Sequence, residues 1–179
     1  MISNDPKPLK PTARMKMSPE GRARLRATEK AIYRYYNDMG KNKGHCTWGV
    51  GILAHKGVCT NEELGRKVSV KMVDQEFERK IAETEAIIHR NITVELNQDQ
   101  FDALCSLAYN AGPKGSSDTF MFVNRGDFAG AANNMSLMIK VTVIEKGKKK
   151  LVIAPGLIKR RAEESAPFRI EKAATATSK

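Results

Sequence analysis

Glycine stands at positions 40, 44, 49 and 51, and this punctuation constrains the fold more than any other stretch of the chain. Gly40 and Gly44 supply turns, while Thr47-Trp48-Gly49-Val50-Gly51-Ile52 is short and β-prone, with glycines where backbone must come close. Upstream, Ser18-Pro19 opens a helix, and no glycine or proline intervenes after Gly21. Leu25, Ile32 and Tyr36 fall near one face, which predicts that the helix continues almost to Asn37. Glu29 then lies near a helix end, Asp38 follows nine positions later at the start of a small sheet, and Thr47 sits on a strand. Two carboxyls on opposed rigid elements suit cleavage of a glycosidic bond. One protonates the leaving oxygen, and the other stays ionised on the far side of the sugar.

Charge narrows the partners. A formal +11 over 179 residues calls for an anionic one: nucleic acid, acidic membrane or cell-wall polymer. Aromatic residues make up only 6% of the chain and form no stacking platform, which argues against nucleic acid. The first twelve residues contain no apolar run, so neither a signal peptide nor a membrane anchor is expected. Cys46, Cys59 and Cys105 are an odd set without framework spacing, and reduced thiols are the expectation. His45, Cys46, His55 and Cys59 offer zinc donors, but their spacing fits no common finger and adjacent residues on a strand point to opposite faces. No metal site is expected. No local context marks any of the thiols as a nucleophile.

The rest of the chain reads as mostly helical. Residues 1–17, rich in proline and lysine, are expected to form a flexible basic arm, and 173–179 a frayed tail. Arg22, Arg24 and Arg26 read as a solvated face. Thr60 or Asn61 caps a short turn. Val70, Val73, Phe77, Ile81 and Ile88 predict one long amphipathic helix from Ser69 to about Arg90. Its acids Asp74, Glu76, Glu78, Glu83 and Glu85 read as surface. Asn97 and Gln100 form a capping-box variant before an almost wholly apolar helix that Gly112-Pro113 should end. Ser116–Thr119 opens a short helix and Phe128 another, running to about Met135. Val141–Ile144 and Leu151–Ile153 flank a basic hairpin tip, and Pro155-Gly156 opens the last helix.

The order Glu29, Asp38-x-Gly40, Thr47-x-Gly49-x-Gly51 resembles the phage lysozyme family, the muramidase-type endolysins of glycoside hydrolase family 24. Two further segments carry the resemblance: Gln98-x-x-Phe101-Asp-Ala-Leu104 with Asn110-Ala-Gly112, and Gly156-Leu-x-x-Arg160-Arg161. Together they cover about residues 18–170. The turn between Asp38 and Thr47 is longer than the usual one, and Ile52 stands where the family has histidine.

The resemblance implies an α+β lysozyme-like fold over about residues 18–172. A small hairpin lobe, about 38–60, and a larger helical lobe, about 70–170, are joined by the long helix and enclose a cleft. It implies hydrolysis of the β-1,4 bond between N-acetylmuramic acid and N-acetylglucosamine in peptidoglycan. Glu29 is then the general acid, and Asp38 with Thr47 activates water. Leu53, Tyr109, Thr119 and Asn134 would line the substrate, and Arg160, with Arg161 as its rival by register, would sit beside the acid. No cofactor is implied. Nor is a nucleic-acid partner or a membrane anchor. A monomer made in the host cytoplasm would act in the periplasm once a holin or other agent permeabilises the membrane. A lytic transglycosylase and a non-enzymatic basic protein binding nucleic acid or wall are the alternatives.

Overall fold

The computed structural model describes residues 11–145 and 148–169, and the chain divides into two compact units. The first runs from Ser18 to Glu83; the second takes the residues up to Met17 and those from Thr84 onward. The architecture is α+β, a small antiparallel sheet unit and a mainly helical one, as the resemblance implies.

The sheet unit opens with α1 (Pro19–Thr28), whose N-cap Ser18 accepts a hydrogen bond from the Gly21 amide at 2.9 Å. The helix stops sooner than its apolar spacing predicts. Lys30 adopts φ +23°, a left-handed excursion that no helix continues through, and Ile32–Asn37 emerges as strand β1. The residues themselves favour this outcome. Ile-Tyr-Arg-Tyr-Tyr is β-branched and aromatic, and it has two partners to pair with. On one edge β1 meets β2 (Cys46–Gly49) antiparallel, with Tyr36 opposite Thr47 and Asn37 opposite Cys46. On the other edge the Tyr35 and Val68 amides bond to Arg66 and Tyr33 carbonyls at 3.3 and 3.0 Å. Strand β3 (Ile52–His55) completes the order β1-β2-β3.

Thr60 caps α2 (Asn61–Gly65) in a full capping box with Glu63. Helix α3 (Val70–Asn91) follows as predicted, burying Val73, Phe77, Ile81 and Ile88. Gly49 sits where α3 meets the sheet: its φ of +62° favours glycine, and a Cβ there would stand a tight 3.3 Å from Val73. The arginines of α1 are not merely solvated. Arg22 pairs with Glu78, and Arg26 reaches Asp74 at 2.6 Å with its guanidinium 5.2 Å from the centre of the Phe77 ring. The division between units falls inside α3, at Glu83 and Thr84.

Cys46 and Cys59 form a disulfide, which corrects the expectation of three reduced thiols; Cys105 is free and buried. The sheet register is the reason. Asn37, opposite Cys46, holds the Cys59 amide with Oδ1 at 2.7 Å, and the Cys46 amide holds the Gly57 carbonyl at 2.7 Å. The loop after β3 is thereby folded back onto β2.

In the helical unit, α4 (Gln98–Asn124) starts with the Asn97–Gln100 capping box. Gly112 (φ +69°, ψ 175°) is non-helical, so the first helical stretch ends there as Gly112-Pro113 predicts, and a second follows at once from Pro113. Phe101, Leu104, Leu107 and Val123 of α4 are fully buried. Around it lie α5 (Phe128–Leu137), the hairpin of β4 (Lys140–Glu145) and β5 (Lys148–Ile153), and α6 (Pro155–Ser165). Among the described residues no helix is long and apolar enough to cross a membrane.

The expected flexible arm lies partly outside the described residues, and its last seven are docked. A 3-10 turn spans Pro11–Arg14, and buried Thr12 donates to the Val94 carbonyl at 2.8 Å. Glu85, read from sequence as a surface acid, is 2% exposed. It accepts from the Met17 amide and the Lys16 ammonium, both at 2.9 Å. Replacing Glu85 by alanine would remove the buried acceptor it offers the Met17 amide, so we expect a stability loss of about 1–3 kcal/mol. An equilibrium urea titration measures it; an unchanged midpoint would show that this contact contributes nothing.

Candidate active site

Glu29 is the C-cap of α1. Its amide bonds to the Leu25 carbonyl at 3.0 Å, closing the last turn, and its half-buried side chain stands at the helix end because the chain turns away at Lys30. Asp38 stands in the turn directly after β1. Its amide donates to the His45 carbonyl at 3.1 Å, and its Oδ1 accepts from the His45 amide at 2.8 Å. Thr47, on β2 and buried, donates from Oγ1 to the same His45 carbonyl at 3.2 Å. One residue thus ties Asp38 and Thr47 together.

This clasp explains how the turn is accommodated. Its residues are looped out between Asn37 and Cys46, which pair across it. Gly40, Asn42 and Gly44 all take positive φ, at +95°, +56° and +83°, to turn the chain. Gly44 has a second duty: a Cβ on it would lie 1.9 Å from Asp38 Oδ1. Only glycine leaves the carboxylate room to reach the His45 amide.

Sequence reading does not single out Tyr36. Burial pushes its phenol above the ordinary tyrosine range, and the charges of Asp38 and then Glu29 push it further. Both candidate carboxylates therefore act on one hydroxyl, which stays protonated at neutral pH. The signal is its place two residues before Asp38, visible only once β1 is recognised as a strand, with Tyr36 across from Thr47.

Leu53 on β3 is the Cα partner of Thr47 and is 53% exposed, so it presents an apolar surface beside that residue. Ile52 pairs with Trp48. His55 bonds instead to Glu63 Oε1 through Nε2 at 2.9 Å and to the Lys56 carbonyl through Nδ1 at 3.1 Å. A ring nitrogen of His55, a carboxylate oxygen of Glu63 and the Cys46 sulfur lie within 4.8 Å of one another, the only such metal-compatible group among the described residues.

In the helical unit, Tyr109 is buried on α4, and the fully buried Thr119 donates to Asn134 Oδ1 on α5 at 2.7 Å. Arg160 and Arg161 are both buried on α6 and both bond Glu164, Arg160 through Nε at 2.9 Å. Arg160 also reaches the Ser106 carbonyl at 3.0 Å, while Arg161 reaches Asn110 Oδ1 at 2.6 Å and the Met138 carbonyl at 3.1 Å.

An α1 carboxylate, a second carboxylate clasped to a three-stranded sheet and a helical unit built on one buried helix define a lysozyme-type glycoside hydrolase. The chain belongs to the phage lysozyme family, whose model matches residues 26–164. It is 33% identical over 139 residues to an endolysin of Acyrthosiphon pisum secondary endosymbiont phage 1, covering 76% of this chain and 92% of that protein. The fold is similar to that of an endolysin from Escherichia coli O157:H7 phage FAHEc1, with a TM-score of 0.69 and 28% identity. That match covers 87% of this chain and 94% of the other. It is also similar to a P22 lysozyme mutant, with a TM-score of 0.61, 26% identity and coverage of 86% and 98%.

The Gly44 clearance yields a controlled test. Gly40 shares the positive φ, but a Cβ added there would meet nothing within 4 Å, so Gly40→Ala carries backbone strain alone. We expect Gly44→Ala to lose at least tenfold more wall-lytic activity than Gly40→Ala, a difference of about 1.4 kcal/mol or more in barrier. Turbidity clearing of permeabilised cells measures both, and equal losses would show that displacing Asp38 does not matter.

Proposed function

We propose that this phage lysozyme is an endolysin that hydrolyses the β-1,4 bond between N-acetylmuramic acid and N-acetylglucosamine in peptidoglycan, with inversion at the anomeric carbon. Glu29 delivers the proton to the leaving oxygen. Asp38, ionised, and the Thr47 hydroxyl hold and activate the attacking water. The observation that carries this reading is the shared His45 anchor, which fixes Asp38 and Thr47 as a pair. Asp38 Oδ1 is engaged by an amide, which leaves Oδ2 to accept from water. Leu53 and Asn134 are proposed as residues that touch the glycan, with the buried Tyr109, Thr119 and Arg160 supporting the surface that holds it.

Glu29→Gln keeps the shape of the side chain but removes the transferable proton. We expect lysis to fall by about 10²–10⁴-fold with folding intact. Near-normal lysis by a folded Glu29→Gln protein would remove the assignment. The products decide between this mechanism and its relatives: hydrolysis leaves a reducing end, a lytic transglycosylase leaves an anhydro-sugar, and a wall- or nucleic-acid-binding protein leaves the glycan uncut. Action at the wall as a monomer, after a holin or other permeabilising agent opens the membrane, completes the proposal.

The basic surface is proposed to attract the anionic wall, not to take part in the chemistry. Lys148, Lys149 and Lys150 are exposed on β5. At an ionic strength of about 0.1 M, charges farther apart than about 10 Å are largely screened. Replacing the three by glutamine should weaken wall binding at low salt and leave turnover of a short soluble glycan nearly unchanged. Equal losses on both substrates would place this strand in the active site.

A further inference from the structure

Away from the two carboxylates, the sheet unit contains a cluster with the composition of a zinc centre. Cys46 lies on β2 and His55 on β3, and the two are Cα partners across the sheet. Glu63 stands at the third position of α2, where the capping box fixes it. Its Oε2 accepts from the Thr60 amide at 2.7 Å while Oε1 faces His55 Nε2 at 2.9 Å. The donor atoms of these three lie within 4.8 Å of one another, and Cys59 supplies the second sulfur through its bond to Cys46. This set differs from the one that sequence reading offers. His45 turns its Nδ1 to the Gly57 amide at 3.0 Å, and Glu63, distant from the cysteines in any finger spacing, takes the fourth place.

Two sulfurs, an imidazole and a carboxylate make a tetrahedral zinc donor set. Zinc–sulfur bonds of about 2.3 Å and zinc–nitrogen or –oxygen bonds of about 2.0–2.2 Å put neighbouring donors roughly 3.3–3.8 Å apart. The Cys46, His55 and Glu63 donors are therefore within about 1.5 Å of coordinating spacing, and Cys59 brings the fourth donor through its bond to Cys46. A disulfide sulfur carries no thiolate, so the donor set is complete only in the reduced protein.

We propose that when the Cys46–Cys59 disulfide is reduced, Cys46, Cys59, His55 and Glu63 bind one Zn²⁺, which takes over from the disulfide in holding the loop after β3 against β2. The chemistry balances. A water-soluble phosphine and one water convert the disulfide to two thiols, the phosphine becoming its oxide. Zn²⁺ then displaces both thiol protons, leaving a site of net charge −1 from two thiolates, one carboxylate and the dication. The same side chains thus close this loop in reducing and oxidising surroundings alike, without a role in bond cleavage.

The test uses the full-length protein reduced with a phosphine and titrated with Co²⁺ as a spectroscopic substitute. We expect thiolate-to-cobalt charge-transfer absorption and tetrahedral d–d bands saturating at one equivalent, bleached by Zn²⁺, and absent from the oxidised protein. Cys105→Ala should keep the bands, and the Cys46→Ser/Cys59→Ser double variant should lose them. His55→Ala and Glu63→Gln, each checked for folding by circular dichroism, should bind Zn²⁺ at least about tenfold more weakly. Reduced protein without these bands, or both single variants binding as tightly as the parent, overturns the proposal.

Discussion

A single backbone unit, His45, bears on much of what the sheet unit presents. Its amide donates to Asp38 and its carbonyl accepts from both the Asp38 amide and the Thr47 hydroxyl. A hydrogen bond to an ionised carboxylate is stronger than one between neutral groups, so the Asp38 contact does more than close a turn. It fixes a charged side chain relative to a strand. The clasp depends on Gly44 for clearance and on the Asn37–Cys46 pairing for register. The adjoining Cys46–Cys59 bond and the Asn37–Cys59 hydrogen bond then anchor the next loop to the same pair of strands. The turn between Asp38 and His45 is tolerated because its residues leave this frame undisturbed.

The helical unit solves a different problem, the burial of charge. Glu164 receives Arg160, Arg161 and, at 2.6 Å, the Ser106 hydroxyl, all three charged groups being less than a tenth exposed. Two guanidinium groups against one carboxylate leave a net positive charge, and the remaining arginine donors are met by carbonyl and amide oxygens of Ser106, Asn110 and Met138. Such a network is costly to desolvate but more costly to break in half, so α6 is locked in register against α4. Glu85 does the same on a smaller scale for the segment ending at Met17. Removing Glu164 would take the charge partner from two buried guanidinium groups.

Much of this was legible in the sequence because it rests on local chemistry. The Ser18 cap, the Asn97–Gln100 box, the face of α3 from Val73 to Ile88 and the order Glu29, Asp38, Thr47 all follow from side-chain type and spacing. What failed was the stretch from Lys30 to Asn37, where helical spacing of Leu25, Ile32 and Tyr36 competed with β propensity. Pairing on both strand edges decided it, and pairing is not a local property.

The other surprises have the same origin. Cys46 and Cys59 give no sign of pairing until Asn37 brings their loop back to β2, and Glu85 looks like any surface acid until the Met17 amide meets it. Tyr36 becomes part of the site only when strand register sets it across from Thr47. Sequence alone determined which residues could do the chemistry and the family to which they are similar, since those depend on residue type and order. The tertiary structure decided which of them share an anchor, which thiols meet and which charges are buried, because each depends on contacts between segments that the chain keeps apart.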